Sequence, residues 1–218
     1  MQEKFEIYYV RHADTHGAGC GDRDKCDVDI TELGEKQIEL ISKRLEGMKF
    51  DAVFSSPLVR CIKTAAGVCK RLDGHPEIEI MPELIERGST ENYAGCSISY
   101  LSQYYDRLKE CEDIAFGEAR GVFPNVTKSE AMERGRALAK YFCDRFTYGQ
   151  KIIVFSHACF GNSFIPSAVG IREEDFIMTL MNTSLSKIKF TPDGVKRISF
   201  QNDISHLRPL MPNYEEEL

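Results

Sequence analysis

Five side chains of the 218-residue sequence stand where an apolar run stops or a helix begins. Arg11 and His12 follow FEIYYV directly, Arg60 follows SSPLV, Glu86 lies in ELIERG, and His157 follows KIIVFS directly. Two guanidinium forks can grip the oxygens of a phosphate bidentately. An imidazole with one unprotonated ring nitrogen is a competent nucleophile toward phosphorus, and a nearby carboxylic acid can protonate the departing oxygen. Taken alone, Arg11 is a strand-end charge and His12 a surface histidine. The recurrence of the pattern at Arg60 and His157 favours a shared anion site.

Such groups need a rigid framework. FEIYYV reads as a strand and residues 13–28 as a Gly- and Asp-rich loop. DITELGEKQIELISKRLEG reads as a helix. Asp29 and Glu32 are spaced as a capping box, Ile38, Ile41 and Leu45 share a face, and Gly47 ends it. FDAVFSS is the next strand, and PLVRCIKTAAGVCKRLDG the next helix, with Pro57 near its first turn. EIEIMPEL reads as a third strand, Tyr100 to Cys111 as a helical piece, and Ser129 as the cap of SEAMERGRALAKYFCDRF. KIIVFSH is a fourth strand, its apolar run continuous as in a strand buried on both faces. SLSKIKFTPDGVKRISF supplies two closing strands around a Pro-Asp-Gly turn. The alternation predicts an α/β fold: a three-layer α/β/α sandwich with a mostly parallel central sheet. It forms one domain over 1–218, with a variable insertion at about 97–128. Ligands of such sheets bind beyond the carboxyl ends of the strands. His12 and His157 both fall there, so both imidazoles are expected in one crevice.

VRHADT resembles the RHG signature of the histidine phosphatase superfamily, the phosphoglycerate-mutase-like branch 1. ITELGEKQ resembles that family's LTxxGxxQ, VFSSPLVRCIKTA its SSPLxRxxQTA, and LIERG its LxE. VFSHACFG resembles the second-histidine segment, and NTSLSKIKF the late strand with its leading asparagine. The segments occur in the family's order and leave uncovered only Ser97 to Ser129. The resemblance implies a phosphoglycerate-mutase-like fold. It also implies a metal-independent phosphatase, without cofactor, that hydrolyses a phosphate monoester through a phosphohistidine at His12. Arg11, Arg60 and His157 would hold the phosphoryl group. Glu86 would be proton donor and then base, with Glu83 the alternative acid. Asp14, Thr15, Arg23 and Asn182 are candidates for the substrate rim. The chain departs from the pattern at Ala13 (usually glycine), Asp14 (commonly glutamate), Gly17 and Ala18 (near a frequent asparagine), Lys63 (often glutamine) and Ala158 (usually glycine). If the backbone at Ala13 needed positive φ, alanine would be strained there.

Bulk properties narrow the partners. A net charge of −6 argues against a sequence-independent nucleic-acid binder. No stretch approaches the ~20 apolar residues of a membrane span, the longest strongly apolar run being Ile152 to Phe155, and the N-terminus lacks a signal-peptide pattern. A cytoplasmic protein with no membrane or nucleic-acid partner and a small phosphorylated substrate is expected. Its eight cysteines are expected to be reduced thiols, with Cys61, Cys69 and Cys143 on apolar helix stripes and Cys20 and Cys26 flanking a loop. GDRDKCDVD fails as a calcium loop because Cys26, Val28 and Leu33 occupy ligand positions. No cysteine is followed six residues later by arginine, and no nucleotide-binding glycine loop occurs. His16, His75 and His206 read as solvated loop or turn residues. Tyr104, Tyr105 and Arg107 could line a substrate, although a helix with its aromatics inward is the plainer reading. Two other functions fit the same motifs. One is a phosphoglycerate-type mutase, disfavoured because the adjacent-arginine pair of that branch is missing. The other is a catalytically weak phospho-ligand-binding or interaction module.

Overall fold

The computed structural model describes residues 4–16, 27–88, 96–111, 127–173 and 175–211. Seven strands form one sheet: β1 (Phe5–Arg11), β2 (Ala52–Ser55), β3 (Ile78–Ile80), β4 (Leu108–Glu110), β5 (Gln150–Ser156), β6 (Leu185–Phe190) and β7 (Lys196–Asp203). Their spatial order is β4-β3-β2-β5-β1-β6-β7. The pairings from β4 through β1 are parallel, whereas β6 runs antiparallel to β1 and β7 antiparallel to β6. The sheet is thus mostly parallel, with a hairpin along one edge.

Two layers of helix cover it. Tyr8 and Val10 of β1 pack with Ile41 and Leu45 of α1 (Glu32–Leu45) and with Ala65 and Cys69 of α2 (Val59–Cys69). The alternate residues Phe5, Ile7 and Tyr9 turn to the other face. There they meet Leu138 and Phe142 of α4 (Lys128–Arg145) and Phe160 and Phe164 of α5 (Ala158–Val169). One strand therefore feeds both cores. The short α3 (Ile98–Leu101) lies against the Val59 end of α2, through Leu101, Val59 and Ile62.

Several boundaries differ from expectation, each for a local reason. α1 is capped by Thr31, whose hydroxyl accepts the Gly34 N–H, so Asp29 and Glu32 form no capping box. α4 is capped by Thr127 in a reciprocal box with Glu130, two residues ahead of Ser129. Pro57 precedes α2, whose cap is Leu58. The third strand is confined to β3, and Pro82–Leu84 turns into a 3-10 helix. Of the piece from Tyr100 to Cys111, only the first residues are helical. The rest contains β4, a short strand at the sheet edge. α5 was not expected from the sequence at all.

The described cysteines, Cys61, Cys69, Cys96, Cys111, Cys143 and Cys159, are free thiols. Cys20, Cys26 and Arg23 lie outside the described residues, as do the acidic C-terminal residues. Among the described residues no helix is long and apolar enough to cross a membrane.

Candidate active site

β1 and β5 lie side by side and parallel, with Arg11 paired to Ser156. The next residue on each strand is a histidine, so His12 and His157 emerge together at the carboxyl edge of the sheet. Their ring centroids are 5.2 Å apart at 61°. Both are buried, His12 5% exposed and His157 not at all. His12 Nδ1 lies 2.7 Å from the Ala13 carbonyl oxygen. A carbonyl only accepts, so Nδ1 carries the proton and Nε2 keeps its lone pair. Burial, then the Arg60 and Arg11 cations, hold the His12 pKa well below the ordinary imidazole range. Burial and Arg60 do the same for His157, with His12, Arg11 and Arg134 adding to it. Both rings are therefore neutral at pH 7.

The two arginines come from different elements. Arg11 ends β1, and its Nη1 donates to the Leu180 carbonyl (2.7 Å), while its buried Nε–H meets no acceptor among the described residues. Arg60 sits in the first turn of α2 and is 8% exposed. The Asp27 carboxylate accepts the Val59 N–H (2.8 Å) and lies 4.0 Å from the Arg60 guanidinium. Thr64 locks these pieces together. Its hydroxyl donates to the Arg60 carbonyl (2.7 Å) and accepts the Ala13 N–H (3.0 Å).

Glu86 follows the 3-10 turn after β3, and its carboxylate lies at the first turn of α5. It accepts N–H groups from Phe160 (2.7 Å), Arg87 (2.9 Å) and Cys159 (3.2 Å). These donors and Arg60 favour the charged form, yet burial outweighs them and raises the Glu86 pKa. Glu83, three residues earlier, is buried within the 3-10 turn. Asn182 donates from Nδ2 to the His12 carbonyl (3.0 Å).

A model of the family described as "Histidine phosphatase superfamily (branch 1)" matches residues 7–203. The chain belongs to the histidine phosphatase superfamily. Fructose-2,6-bisphosphatase TIGAR of Xenopus laevis is 29% identical over 151 residues, covering 64% of this chain and 48% of that protein. The chain thus spans about half the length of that curated relative. In fold it is similar to phosphoserine phosphatase from Entamoeba histolytica in complex with phosphoserine. The TM-score is 0.64 at 19% identity, over 93% of this chain and 99% of that one. Mycobacterial glucosyl-3-phosphoglycerate phosphatase gives 0.65 at 14% identity, over 90% and 98%.

Several departures of this superfamily member from the family pattern have local explanations, while Gly17 and Ala18 lie outside the described residues. Ala13 does not have positive φ, so alanine carries no strain there; it packs with Ile30 and Ile38. The Asp14 carboxylate accepts the Thr31 hydroxyl (2.7 Å), and its N–H goes to Gln37 (2.9 Å). Thr15 is buried and bridged to Ile30. Lys63 pairs with Asp29 at 2.6 Å and lies 5.0 Å over the Tyr104 ring. Tyr105 is buried and Arg107 bonds the His75 carbonyl, but Tyr104 is only partly buried and the segment is not the expected helix. His206, expected to be solvated, is half-buried in a hydrogen-bonded cluster.

Sequence reasoning passed over several supporting groups. Ser56 Oγ lies 2.8 Å from His157 Nε2, and the Cys61 sulfur 3.4 Å from the same atom. Burial raises the Cys61 pKa, so it stays a neutral thiol against the ring. Arg134 of α4 donates to the Ile85 carbonyl (3.0 Å), next to Glu86, and stacks 4.2 Å over Phe160. Ser56 and Cys61 were within reach, since they flank Arg60 in a motif. Arg134 carried no such signal.

Proposed function

We propose that this protein is a metal-independent phosphatase that hydrolyses a phosphate monoester through a phosphohistidine at His12. The observation that carries this reading is the neutral His12 imidazole, its Nδ1–H committed to the Ala13 carbonyl and its pKa depressed by burial and by the neighbouring Arg60 and Arg11 cations. A phosphoryl group between Arg11 and Arg60 would place negative charge where the Arg11 Nε–H meets no acceptor among the described residues. His12 Nε2 attacks phosphorus as the P–O ester bond breaks. The Glu86 carboxylic acid, whose pKa burial raises, gives its proton to the leaving alkoxide. The resulting carboxylate takes a proton from water, whose oxygen attacks phosphorus and frees His12. Arg11, Arg60 and His157 hold the equatorial oxygens throughout. The names of the relatives support a phosphorylated small molecule as substrate, and Asn182 and Arg23 remain rim candidates. A cytoplasmic setting and one catalytic domain over 1–218 accompany this reading.

Mixing the protein with a labelled phosphate ester and quenching in alkali should trap an acid-labile phosphoenzyme, with turnover unaffected by chelator. His12→Ala should lose both trapping and turnover. Turnover surviving in His12→Ala would remove His12 as nucleophile, and isomerisation of a phosphoglycerate exceeding phosphate release would make the protein a mutase.

A further inference from the structure

The residues leading into β6 are tied down on both sides. Arg11 Nη1 donates to the Leu180 carbonyl (2.7 Å), and the Met181 N–H donates to Asn202 Oδ1 of β7 (2.7 Å). Asn182 Nδ2 donates to the His12 carbonyl (3.0 Å), and the Thr183 N–H donates to the Arg11 carbonyl (3.0 Å). Thr183 is fully buried and has φ +54°. A β-branched residue adopts that left-handed conformation only when its surroundings hold it there.

His206 lies against it, in the 3-10 turn Ser205–Leu210 that follows β7. Arg44 Nη1 is 3.2 Å from His206 Nδ1, and a guanidinium only donates, so Nδ1 is the acceptor. The ring proton is therefore on Nε2, 3.3 Å from Thr183 Oγ1, which accepts it. Arg44 is itself fixed by its pair with Asp203 and by Ser205 Oγ at 3.1 Å. An imidazolium would set a second N–H against Arg44. Burial and that cation hold the His206 pKa down to about 4, so the bridging tautomer persists at neutral pH.

We propose that His206 is a positioning residue for the active site: through its bond to Thr183 it holds the left-handed turn whose N–H and neighbouring amide fix the backbone carbonyls of Arg11 and His12. The chain of contacts runs from α1 through Arg44, His206 and Thr183 to the nucleophile. It joins residues that are remote in sequence, and Arg44 and His206 lie outside every motif that marks the site. The proposal rests on the phosphohistidine reading above.

Glycine adopts positive φ without steric cost, and this provides the test. Full-length His206→Ala is compared in two backgrounds, native Thr183 and Thr183→Gly, with p-nitrophenyl phosphate for turnover and vanadate for affinity. With Thr183 present, kcat should fall about tenfold and vanadate Kd rise similarly, the size of effect that released backbone strain gives, while KM changes much less. With glycine at 183, adding His206→Ala should change kcat and vanadate Kd by less than about twofold. An equal loss in both backgrounds would mean that His206 only stabilises its own turn, and overturns the proposal. No loss in either background overturns it as well. The vanadate arm decides the matter even if the wild type hydrolyses no ester. Wild-type protein that neither turns over ester nor binds vanadate would overturn both the phosphatase reading and this one.

Discussion

Because the Ala13 carbonyl accepts the Nδ1–H of His12 (2.7 Å), the nitrogen left free for the proposed attack is selected by a backbone atom and not by a carboxylate partner. The Glu86 carboxylate is held by backbone N–H donors at the start of α5. Its proposed role as proton donor makes a chemical prediction. Glu86→Gln should lower kcat for an alkyl phosphate such as phosphoserine by about 100-fold or more. It should spare p-nitrophenyl phosphate, whose leaving group needs no proton. Equal losses on both esters, measured side by side under steady-state conditions, would assign Glu86 a positioning role instead. Asp14, two residues from His12, also ties the strand end to the Thr31 cap of α1.

At the scale of elements, α5 does most to shape the site and was least visible in the sequence. ACFGNSFIPSAV is apolar nearly all round, with an internal proline, so no polar face marks a helical period. Its buried position, packed on α4 and β1, is a tertiary fact. The three-residue β4 is hidden for the opposite reason, being short, polar and at an edge. β1, β2 and β5 were legible because a strand buried on both faces writes a continuous apolar run. The site residues at their ends were legible with them, whereas the positive φ of Thr183 leaves no trace in sequence. Packing around α5 also yields a prediction. A Cβ on Gly161 would stand 2.5 Å from Leu180 Cδ1 and 2.9 Å from the Tyr9 hydroxyl, which bonds the His157 carbonyl (2.7 Å). Gly161→Ala should destabilise the fold by about 1–3 kcal/mol and lower kcat as well. Thermal melts and turnover on the same preparation check both. On the other face of the sheet, a Cβ on Gly34 would meet the Asp14 carbonyl oxygen at 2.3 Å, so a motif glycine there lets α1 approach the nucleophile's loop.

For the molecule as a whole, burying two neutral histidines together couples stability to pH. The His12 and His157 pKa values are depressed in the folded state, while an unfolded histidine titrates near 6.5. As pH falls through about 6.5, the unfolded chain binds protons that the folded chain refuses, so stability drops by up to ~1.4 kcal/mol per pH unit for each ring. His206 acts in the same direction, less strongly because solvent reaches it. Glu86, with a raised pKa, acts in the opposite sense: its contribution is present below its unfolded pKa and is lost as pH rises through the folded value. Two fully buried rings outweigh one carboxyl. The unfolding free energy in urea should therefore fall by roughly 2 kcal/mol or more between pH 7.5 and 5.5. A flat profile over that range would mean that the rings are not neutral and buried together.

The sheet order carries a last consequence. β1 is made before β5 and β6, its neighbours in the sheet, and Asn182 reaches the His12 carbonyl across 170 residues of chain. A nascent polypeptide therefore carries His12 long before the strands that flank it exist. Closures of that span are slow, so on refolding, activity should return with the final cooperative phase. A fragment that stops short of β6 should be chemically silent however much helix it forms.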